Sequence, residues 1–198
     1  MSETVTTAAG LVGAIGPGRL VLVVGPSGAG KDTLLRLAQM ACVDDQDIVF
    51  PRRVVTRASS ADEDNIALSP DEFARARDHG DFAVHWDAHG HSYALPLEIN
   101  DDIRAGRAVV ANVSRTVIGA LRQNYANVVV VAITAPPDVL AQRLAARARN
   151  TDGNIADRLA RSVDDATANA DVTILNAGSA DYHGRQLVRV IRNECWRE

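Results

Sequence analysis

Short apolar runs and segments of helical period alternate along most of the chain. Residues 19–24, 107–113, 127–134 and 172–175 are apolar or β-branched runs whose length suits buried strands. Each is followed by a segment with helical spacing of its apolar positions, at about residues 31–42, 114–125, 136–147 and 182–196. Strands separated by helices predict an α/β fold with a parallel sheet, whose ligands bind at the carboxyl ends of the strands.

The middle of the chain departs from this alternation. Residues 48–56 are a strand candidate that Pro51 makes irregular or confines to an edge. Ser69-Pro70-Asp71-Glu72 predicts a helix start, with a cap, a first-turn proline and first-turn acids; the helix ends near Gly80. Runs at 81–87 and 91–95 flank a short turn like a hairpin, and a modest helix follows at 96–105.

A chain of 198 residues fits one domain with a real core. Residues 1–18, rich in Thr, Ala and Gly, predict a mobile leader, and residues 19–198 a single domain. A polar turn near residues 149–153 precedes a further helix at about 154–169.

Charge and composition exclude several classes of protein. A net charge of −4 and a pI near 5.7 argue against a general nucleic-acid binder. No apolar run is long enough for a membrane span, and the N-terminus lacks a basic region of the secretory kind, so we expect a cytoplasmic protein with no membrane partner. Cys42 and Cys195 have no zinc-site spacing. The sequence does not indicate an oligomeric state.

The first strand leads into a glycine-rich turn with the spacing of a phosphate-binding loop. Backbone N–H groups of such a loop converge on phosphate oxygens at a helix N-terminus, where the helix dipole favours negative charge. Lys31 adds a positive charge for the terminal phosphates, and it is the only lysine beside 20 arginines. The predicted nucleotide-binding residues are Gly25, Pro26, Ser27, Gly28, Ala29, Gly30, Lys31, Asp32 and Thr33.

This loop differs from the usual pattern at the residue after the lysine. That position normally carries a Ser or Thr hydroxyl for Mg2+, but here it is Asp32, and Thr33 follows. A carboxylate is also a hard oxygen ligand suited to Mg2+. Asp32 is therefore the candidate metal ligand, either directly or through water, with Thr33 as the alternative.

Arginines cluster later in the chain. They occupy two predicted helices around the polar turn, a pattern typical of a lid that closes on a transferring phosphoryl group. Arg147 and Arg158 are the predicted catalytic residues of this lid, together with Lys31. The alternative is that neighbouring aspartates pair with the arginines on a solvated face. The full set, at about residues 143–161, is Arg143, Arg147, Arg149, Arg158 and Arg161.

Several motifs in order resemble the guanylate kinase fold over residues 19–195: the phosphate-binding loop, Val54-Val55-Thr56-Arg57, the helix start at 69–73, the segment 85–93 and Ile155-Ala156-Asp157-Arg158-Leu159. The resemblance implies a nucleoside-monophosphate-kinase-like, three-layer α/β/α architecture with a central parallel sheet. It also implies a small acceptor-binding subdomain, at about 52–96, and a helical lid.

The acceptor segment does not match guanylate kinases. Those proteins read guanine with a Tyr-Gly-Thr-Ser element, whereas here Tyr93 precedes Ala94-Leu95-Pro96. Ser60 stands near the place of their second arginine, and Arg53 replaces a serine. An extra arginine beside Arg57 favours an acceptor with more phosphate and less base.

A second set of motifs comprises the loop at 25–32, Thr56-Arg57-Ala58-Ser59, residues 63–69 and Ala111-Asn112-Val113-Ser114-Arg115. In these motifs the chain is similar to the ribose 1,5-bisphosphate phosphokinases, the phosphonate-utilisation members of the guanylate kinase-like P-loop group. That resemblance implies phosphorylation of ribose 1,5-bisphosphate by ATP with Mg2+, giving 5-phosphoribosyl 1-diphosphate. The acceptor-binding candidates are Arg53, Arg57, Glu63, His85, Asp87, Tyr93, Ser114 and Arg115; Ser114 is equally a helix cap. A metal site at His85, His89 and His91 is disfavoured, because no fourth ligand lies nearby in sequence.

Two other functions remain open at this point. One is a guanylate or other nucleoside monophosphate kinase, although the missing hydroxyls after Tyr93 speak against GMP. The other is an inactive guanylate kinase-like binding module. Such modules usually lose the loop lysine or the lid, whereas Lys31, Arg147 and Arg158 are all present in this chain.

Overall fold

The computed structural model describes residues 6–7, 13–57, 64–148 and 170–194. The chain forms two compact units. The first unit comprises residues 1–21 and 46–128, and the second comprises residues 22–45 and 129–198. The helices of the described ranges are all too short or too polar to cross a membrane.

Ten strands and six helices occupy the described ranges. The strands are β1 (Thr6–Thr7), β2 (Arg19–Val24), β3 (Ile48–Val49), β4 (Val54–Val55), β5 (Ile66–Ala67), β6 (Phe82–Ala88), β7 (His91–Pro96), β8 (Ala108–Asn112), β9 (Val128–Thr134) and β10 (Val172–Leu175). The helices are α1 (Lys31–Ala41), α2 (Pro70–His79), α3 (Ile99–Arg104), α4 (Ile118–Asn124), α5 (Pro137–Ala148) and α6 (Ala180–Ile191), and a 3-10 turn, Arg115–Val117, leads into α4.

The apolar runs form the central sheet, whose strand order is β10-β9-β2-β8-β3. β3 pairs parallel with β8, and β10 pairs parallel with β9, with Val172 opposite Val131. The boundary between the two units passes through β2. Leu20–Val24 and Val130–Ile133 are almost completely buried, as continuous apolar runs in a parallel sheet should be. The predicted central parallel sheet is confirmed.

The first unit also contains a mixed sheet of order β1-β6-β7-β4-β5. Its centre is the predicted hairpin, in which β6 and β7 pair antiparallel from Ala88 opposite His91 back to Phe82 opposite Pro96. Residues 48–56 form two short strands, β3 and β4, because Pro51 interrupts the run. β5 was not predicted, since its segment is polar and has no period of two.

α2 begins where the sequence predicts. The Ser69 hydroxyl accepts a hydrogen bond from the Glu72 N–H at 3.3 Å, and the Glu72 carboxylate accepts one from the Ser69 N–H at 2.8 Å. This capping box supplies partners for backbone donors that the helix cannot satisfy itself. Phe73 of α2 packs with Phe82 at a ring separation of 4.8 Å, in a cluster with Val54 and Ala94. α2 thereby covers one face of the mixed sheet.

The predicted leader is partly packed against the first unit. Ile15 is only 7% exposed, and its N–H donates to the Asn124 carbonyl at 2.8 Å. Thr6 and Thr7 pair antiparallel with His85 and Val84. The apolar Ile15 thus gains burial that a count of Thr, Ala and Gly does not reveal. The predicted helix at 154–169 lies outside the described residues.

A buried polar pair joins α3 to the end of α4. The Tyr125 hydroxyl donates to Asn100 Oδ1 at 2.5 Å, and both side chains are buried. Burial raises the pKa of Tyr125 to about 12 from an ordinary value of 10.0. The neutral phenol is therefore the form that the folded chain stabilises.

Replacing Tyr125 by Phe should lower the free energy of unfolding by about 1–3 kcal/mol, because Asn100 Oδ1 loses its buried donor. Urea denaturation measures this, with the exposed Tyr182→Phe as a control expected within about 0.5 kcal/mol of the parent. The folded pKa of Tyr125 is raised, so its contribution is complete below pH 10 and is lost as the pH rises towards 12. An equal loss in both variants would contradict the assignment.

Candidate functional site

The phosphate-binding loop of the second unit follows β2 through a backbone that only glycine adopts easily. Gly25 has φ +146°, and a Cβ on it would lie 2.0 Å from the Ile133 carbonyl oxygen. Gly30 has φ +87°, and a Cβ there would lie 2.5 Å from Asn176 Nδ2. Conformation therefore favours glycine at both positions, and space excludes a Cβ at each, beside a backbone carbonyl at Gly25 and beside the Asn176 side chain at Gly30.

Lys31 begins α1 and extends back over the loop. Its ammonium donates to the carbonyl oxygens of Gly25 at 2.8 Å and Pro26 at 2.9 Å. The N-terminus of α1 therefore lies beside the ammonium group of Lys31, the one lysine in the sequence. A positive charge at a helix N-terminus suits an anion such as a terminal phosphate.

Two side chains from distant parts of the second unit brace this loop. Asn176, just after β10, is 3% exposed and donates through Nδ2 to the Ala29 carbonyl at 2.8 Å. Arg143 of α5 donates to the carbonyls of Gly28 at 3.3 Å, Ala29 at 3.4 Å and Asn176 at 3.4 Å. Because the carbonyls are held by these donors, the loop N–H groups keep a fixed direction.

Asn176 is a site residue that was not predicted from the sequence. The sequence did contain one indication of its role: Asn176 is a polar residue directly after the predicted strand at 172–175, at the sheet edge where ligands bind. Its role could not be read from spacing, because its partner Ala29 lies 147 positions away. Asn176 Oδ1 is buried and has no hydrogen-bond partner within the described ranges.

Arg143 lies in the segment predicted as a lid, but its contacts are those of a brace. Its guanidinium donates to the carbonyls of the phosphate-binding loop. The side chains of Arg147, Arg149, Arg158 and Arg161 lie outside the described residues. The lid therefore stays a prediction.

Asp32 is the metal-ligand candidate in the loop. It lies in the first turn of α1 and is half-buried, whereas Thr33 beside it is exposed. Within the described part of the chain, no group of three His, Cys, Asp or Glu side chains could hold a metal ion. One carboxylate beside a phosphate site nevertheless fits Mg2+, which proteins usually bind through one or two carboxylates plus substrate phosphates.

The first unit holds a stack of two rings and a guanidinium. Tyr93 of β7 stacks with Trp86 of β6 at a centroid separation of 5.7 Å and an interplanar angle of 12°. The Arg53 guanidinium lies over the Tyr93 ring, 5.9 Å from its centroid, and donates to the Asn112 carbonyl at 3.4 Å. Of the predicted acceptor contacts, the structure thus places Arg53 and Tyr93 together.

His85 and Asp87 lie on the other face of the same sheet. Tyr93 is the cross-strand partner of Trp86, and side chains alternate along a strand, so His85 and Asp87 point away from Tyr93. Asp87 accepts a hydrogen bond from the Ser92 hydroxyl at 2.6 Å. Burial, and then the charge of Arg77, lower the pKa of His85, while Asp87 acts against this. The predicted contacts thus divide between two faces.

Ser114 and Arg115 follow β8. The Ser114 hydroxyl accepts from the Thr116 N–H at 3.4 Å, which is the capping role foreseen as the alternative. Arg115 Nη1 is buried and has no hydrogen-bond partner within the described ranges. A buried cationic donor without a partner favours an anionic ligand at this place. Arg57 is half-buried beyond β4, and Glu63 lies outside the described residues.

Arg143→Ala should weaken nucleotide binding about tenfold or more, because the loop carbonyls lose charged donors. Calorimetric titration with nucleotide alone, without acceptor, measures the effect. Arg189→Ala, an exposed arginine of α6, is the matched control and should bind as the parent does. Unchanged nucleotide affinity with a reduced turnover rate would indicate a lid function for Arg143 and would contradict the brace.

Known proteins resemble the chain over most of its length. A family model described as an AAA domain matches residues 20–173. A Bradyrhizobium diazoefficiens protein named ribose 1,5-bisphosphate phosphokinase PhnN is 85% identical over 198 residues, which is 100% of both chains. A protein of the same name from Rhodopseudomonas palustris is 63% identical over 179 residues, covering 90% of this chain and 91% of the relative.

Among solved structures, guanylate kinase from Anaplasma phagocytophilum superimposes with a TM-score of 0.64, covering 93% of this chain and 88% of that one. Its sequence identity is 20%, so this likeness concerns the fold alone. It confirms the predicted guanylate kinase-like P-loop architecture. The chain therefore belongs to the family of the ribose 1,5-bisphosphate phosphokinases PhnN.

Proposed function

We propose that the chain transfers the γ-phosphoryl group of ATP to ribose 1,5-bisphosphate, forming 5-phosphoribosyl 1-diphosphate and ADP. The observation that carries the proposal is the 85% identity, over the full length of both chains, to a protein of that name. The braced phosphate-binding loop and the arginines of the first unit agree with it. A role in phosphonate utilisation and a cytoplasmic location are expectations of the same proposal.

The reaction joins two phosphates. An oxygen of the 1-phosphate of the acceptor attacks the γ-phosphorus of ATP, and the bond from that phosphorus to the β–γ bridging oxygen breaks. Because the attacking oxygen is already anionic, no general base has to remove a proton. Positioning and charge neutralisation are therefore the main tasks of the protein.

The residues divide these tasks between the two units. In the second unit, Lys31 and the loop N–H groups bind the phosphates of ATP, with Asn176 and Arg143 fixing the loop carbonyls. In the first unit, Arg115 and Arg53 are the proposed binders of acceptor phosphate, together with Arg57. Arg147 and Arg158 are proposed to supply charge to the transferring group from a lid.

The proposed reaction uses Mg2+, and Asp32 is its proposed protein ligand. The ion would neutralise charge on the β- and γ-phosphates when bound. Asp32 would hold it from the first turn of α1, next to Lys31. Asp32 is therefore the proposed protein anchor of the ion.

A direct assay separates this function from its alternatives. ADP release is followed with ribose 1,5-bisphosphate, with GMP and with no acceptor, and phosphorus NMR identifies the product as a 1-diphosphate. Turnover with GMP equal to or above that with the sugar bisphosphate would overturn the proposal. Absence of turnover with every acceptor would favour a binding module.

Lys31→Ala should lower the turnover number by roughly 100-fold or more, since a preorganised charge at the transferring phosphate is lost. Steady-state ADP release measures the change. Arg36→Ala, an exposed cation on the same helix, serves as the control and should keep the parent rate. Near-normal turnover of the Lys31 variant would remove this residue from the reaction.

Asp32→Asn should raise the Mg2+ concentration needed for half-maximal rate, because the amide binds a hard cation less strongly than the carboxylate. Rates are measured across a Mg2+ titration at saturating ATP. Asp138→Asn, at the corresponding position of α5, is exposed and should leave the Mg2+ requirement unchanged. If both variants kept the parent requirement, Asp32 would not be a metal ligand.

A further inference from the structure

The Tyr93 ring lies between two side chains, Trp86 and Arg53. β7 runs between β6 and β4 in the mixed sheet. Trp86 on β6 is the cross-strand partner of Tyr93, and Val55 on β4 is its partner on the other side. Arg53 precedes Val55 by two positions and so projects to the same face as Tyr93. Trp86 and Arg53 therefore reach the Tyr93 ring from opposite strands.

Trp86 and Arg53 both contact the face of the Tyr93 ring and not its edge. The Trp86 and Tyr93 planes are nearly parallel, at 12°, and the Arg53 guanidinium carbon lies over the Tyr93 ring. Trp86 is 3% exposed, so it cannot move aside without opening the core. Arg53 is also tied to the Asn112 carbonyl, which holds the guanidinium in place over the ring. A planar guanidinium stacks well on an aromatic face.

Other aromatic surface in the first unit is scarce. Among the Phe, Tyr and Trp side chains of its described residues, Tyr93 and Phe50 are half-buried and the others, Phe73, Phe82, Trp86 and Tyr125, are buried in the core. Of the two half-buried rings, Tyr93 is the one that contacts a predicted acceptor-binding residue. A nucleobase that entered this site would need a ring face on which to stack, and the Tyr93 faces are already covered.

We propose that Arg53 determines acceptor specificity by covering the Tyr93 face, so that a base adds nothing to binding and nucleoside monophosphates gain no preference over phosphorylated sugars without a base. This inference rests on the proposed function and specifies its acceptor class. Arg53 then acts twice: its charge attracts phosphate, and its plane denies a base the stacking that would make a nucleotide bind better than the bare sugar phosphate.

The test compares two ligands that differ by a base alone, ribose 5-phosphate and AMP. Their dissociation constants are measured by titration calorimetry with the phosphate-binding loop saturated by a non-hydrolysable ATP analogue. The parent should bind the two with similar affinity. Arg53→Ala should bind AMP about tenfold or more tightly than ribose 5-phosphate, because stacking on an aromatic ring becomes available. Arg53→Ser is the second variant if the first does not fold.

Two further variants make the result specific. The Arg53→Ala, Tyr93→Leu double variant should lose the preference for AMP, since the uncovered ring is gone. Arg52→Ala removes the neighbouring arginine, which pairs with Asp64 at 2.7 Å, and should behave as the parent. An AMP preference of tenfold in the parent, or none in Arg53→Ala and Arg53→Ser, would overturn the inference.

Turnover of ribose 1,5-bisphosphate by the parent is measured separately. Failure there would overturn the proposed function and, with it, the acceptor class assigned to Arg53. Normal turnover combined with unchanged ligand preference in the Arg53 variants would overturn the specificity role alone. The two failures are therefore distinguishable.

Discussion

The nucleotide site depends on a backbone approach that leaves no room for a side chain at Gly25. The Ile133 carbonyl of β9 lies where a Cβ on that residue would be placed, so β2 can end against its neighbour and turn sharply into the loop. This turn sets the course of the loop, and Lys31 and α1 come directly after it in the chain. Asn176 and Arg143 then fix carbonyls farther along the loop, and preorganisation is shared between backbone and side chains.

Local chemistry explains why the loop was predictable from sequence. The glycine spacing, the preceding strand and the following helix lie within about two dozen residues, and each has its own signature. The same holds for α2, whose capping box uses only Ser69 and Glu72. Asn176 is the opposite case, because its partner is remote in sequence and an isolated asparagine after a strand has many possible roles. Arg143 was placed in a lid by helical spacing, which cannot reveal which way a side chain turns.

The acceptor-binding region was predicted only in part from the sequence, for a different reason. The hairpin was predicted correctly, yet His85, Asp87 and Tyr93 were treated as one set of contacts. Strand pairing sets which residues share a face, and the register became known only with the structure. Once Tyr93 is paired with Trp86, alternation separates it from the other two. The burial of Ile15 was likewise invisible, since the composition around it is typical of a mobile segment.

The position of Lys31 has a chemical consequence for the whole molecule. It is the only ε-amine of the chain, and its nitrogen is held at the mouth of the phosphate-binding loop by the Gly25 and Pro26 carbonyls. Every other side-chain cation that is charged at neutral pH is an arginine, apart from the histidines. A reagent or enzyme that acylates lysine side chains has no harmless surface target here, so a single such modification of this chain removes the charge at its nucleotide site.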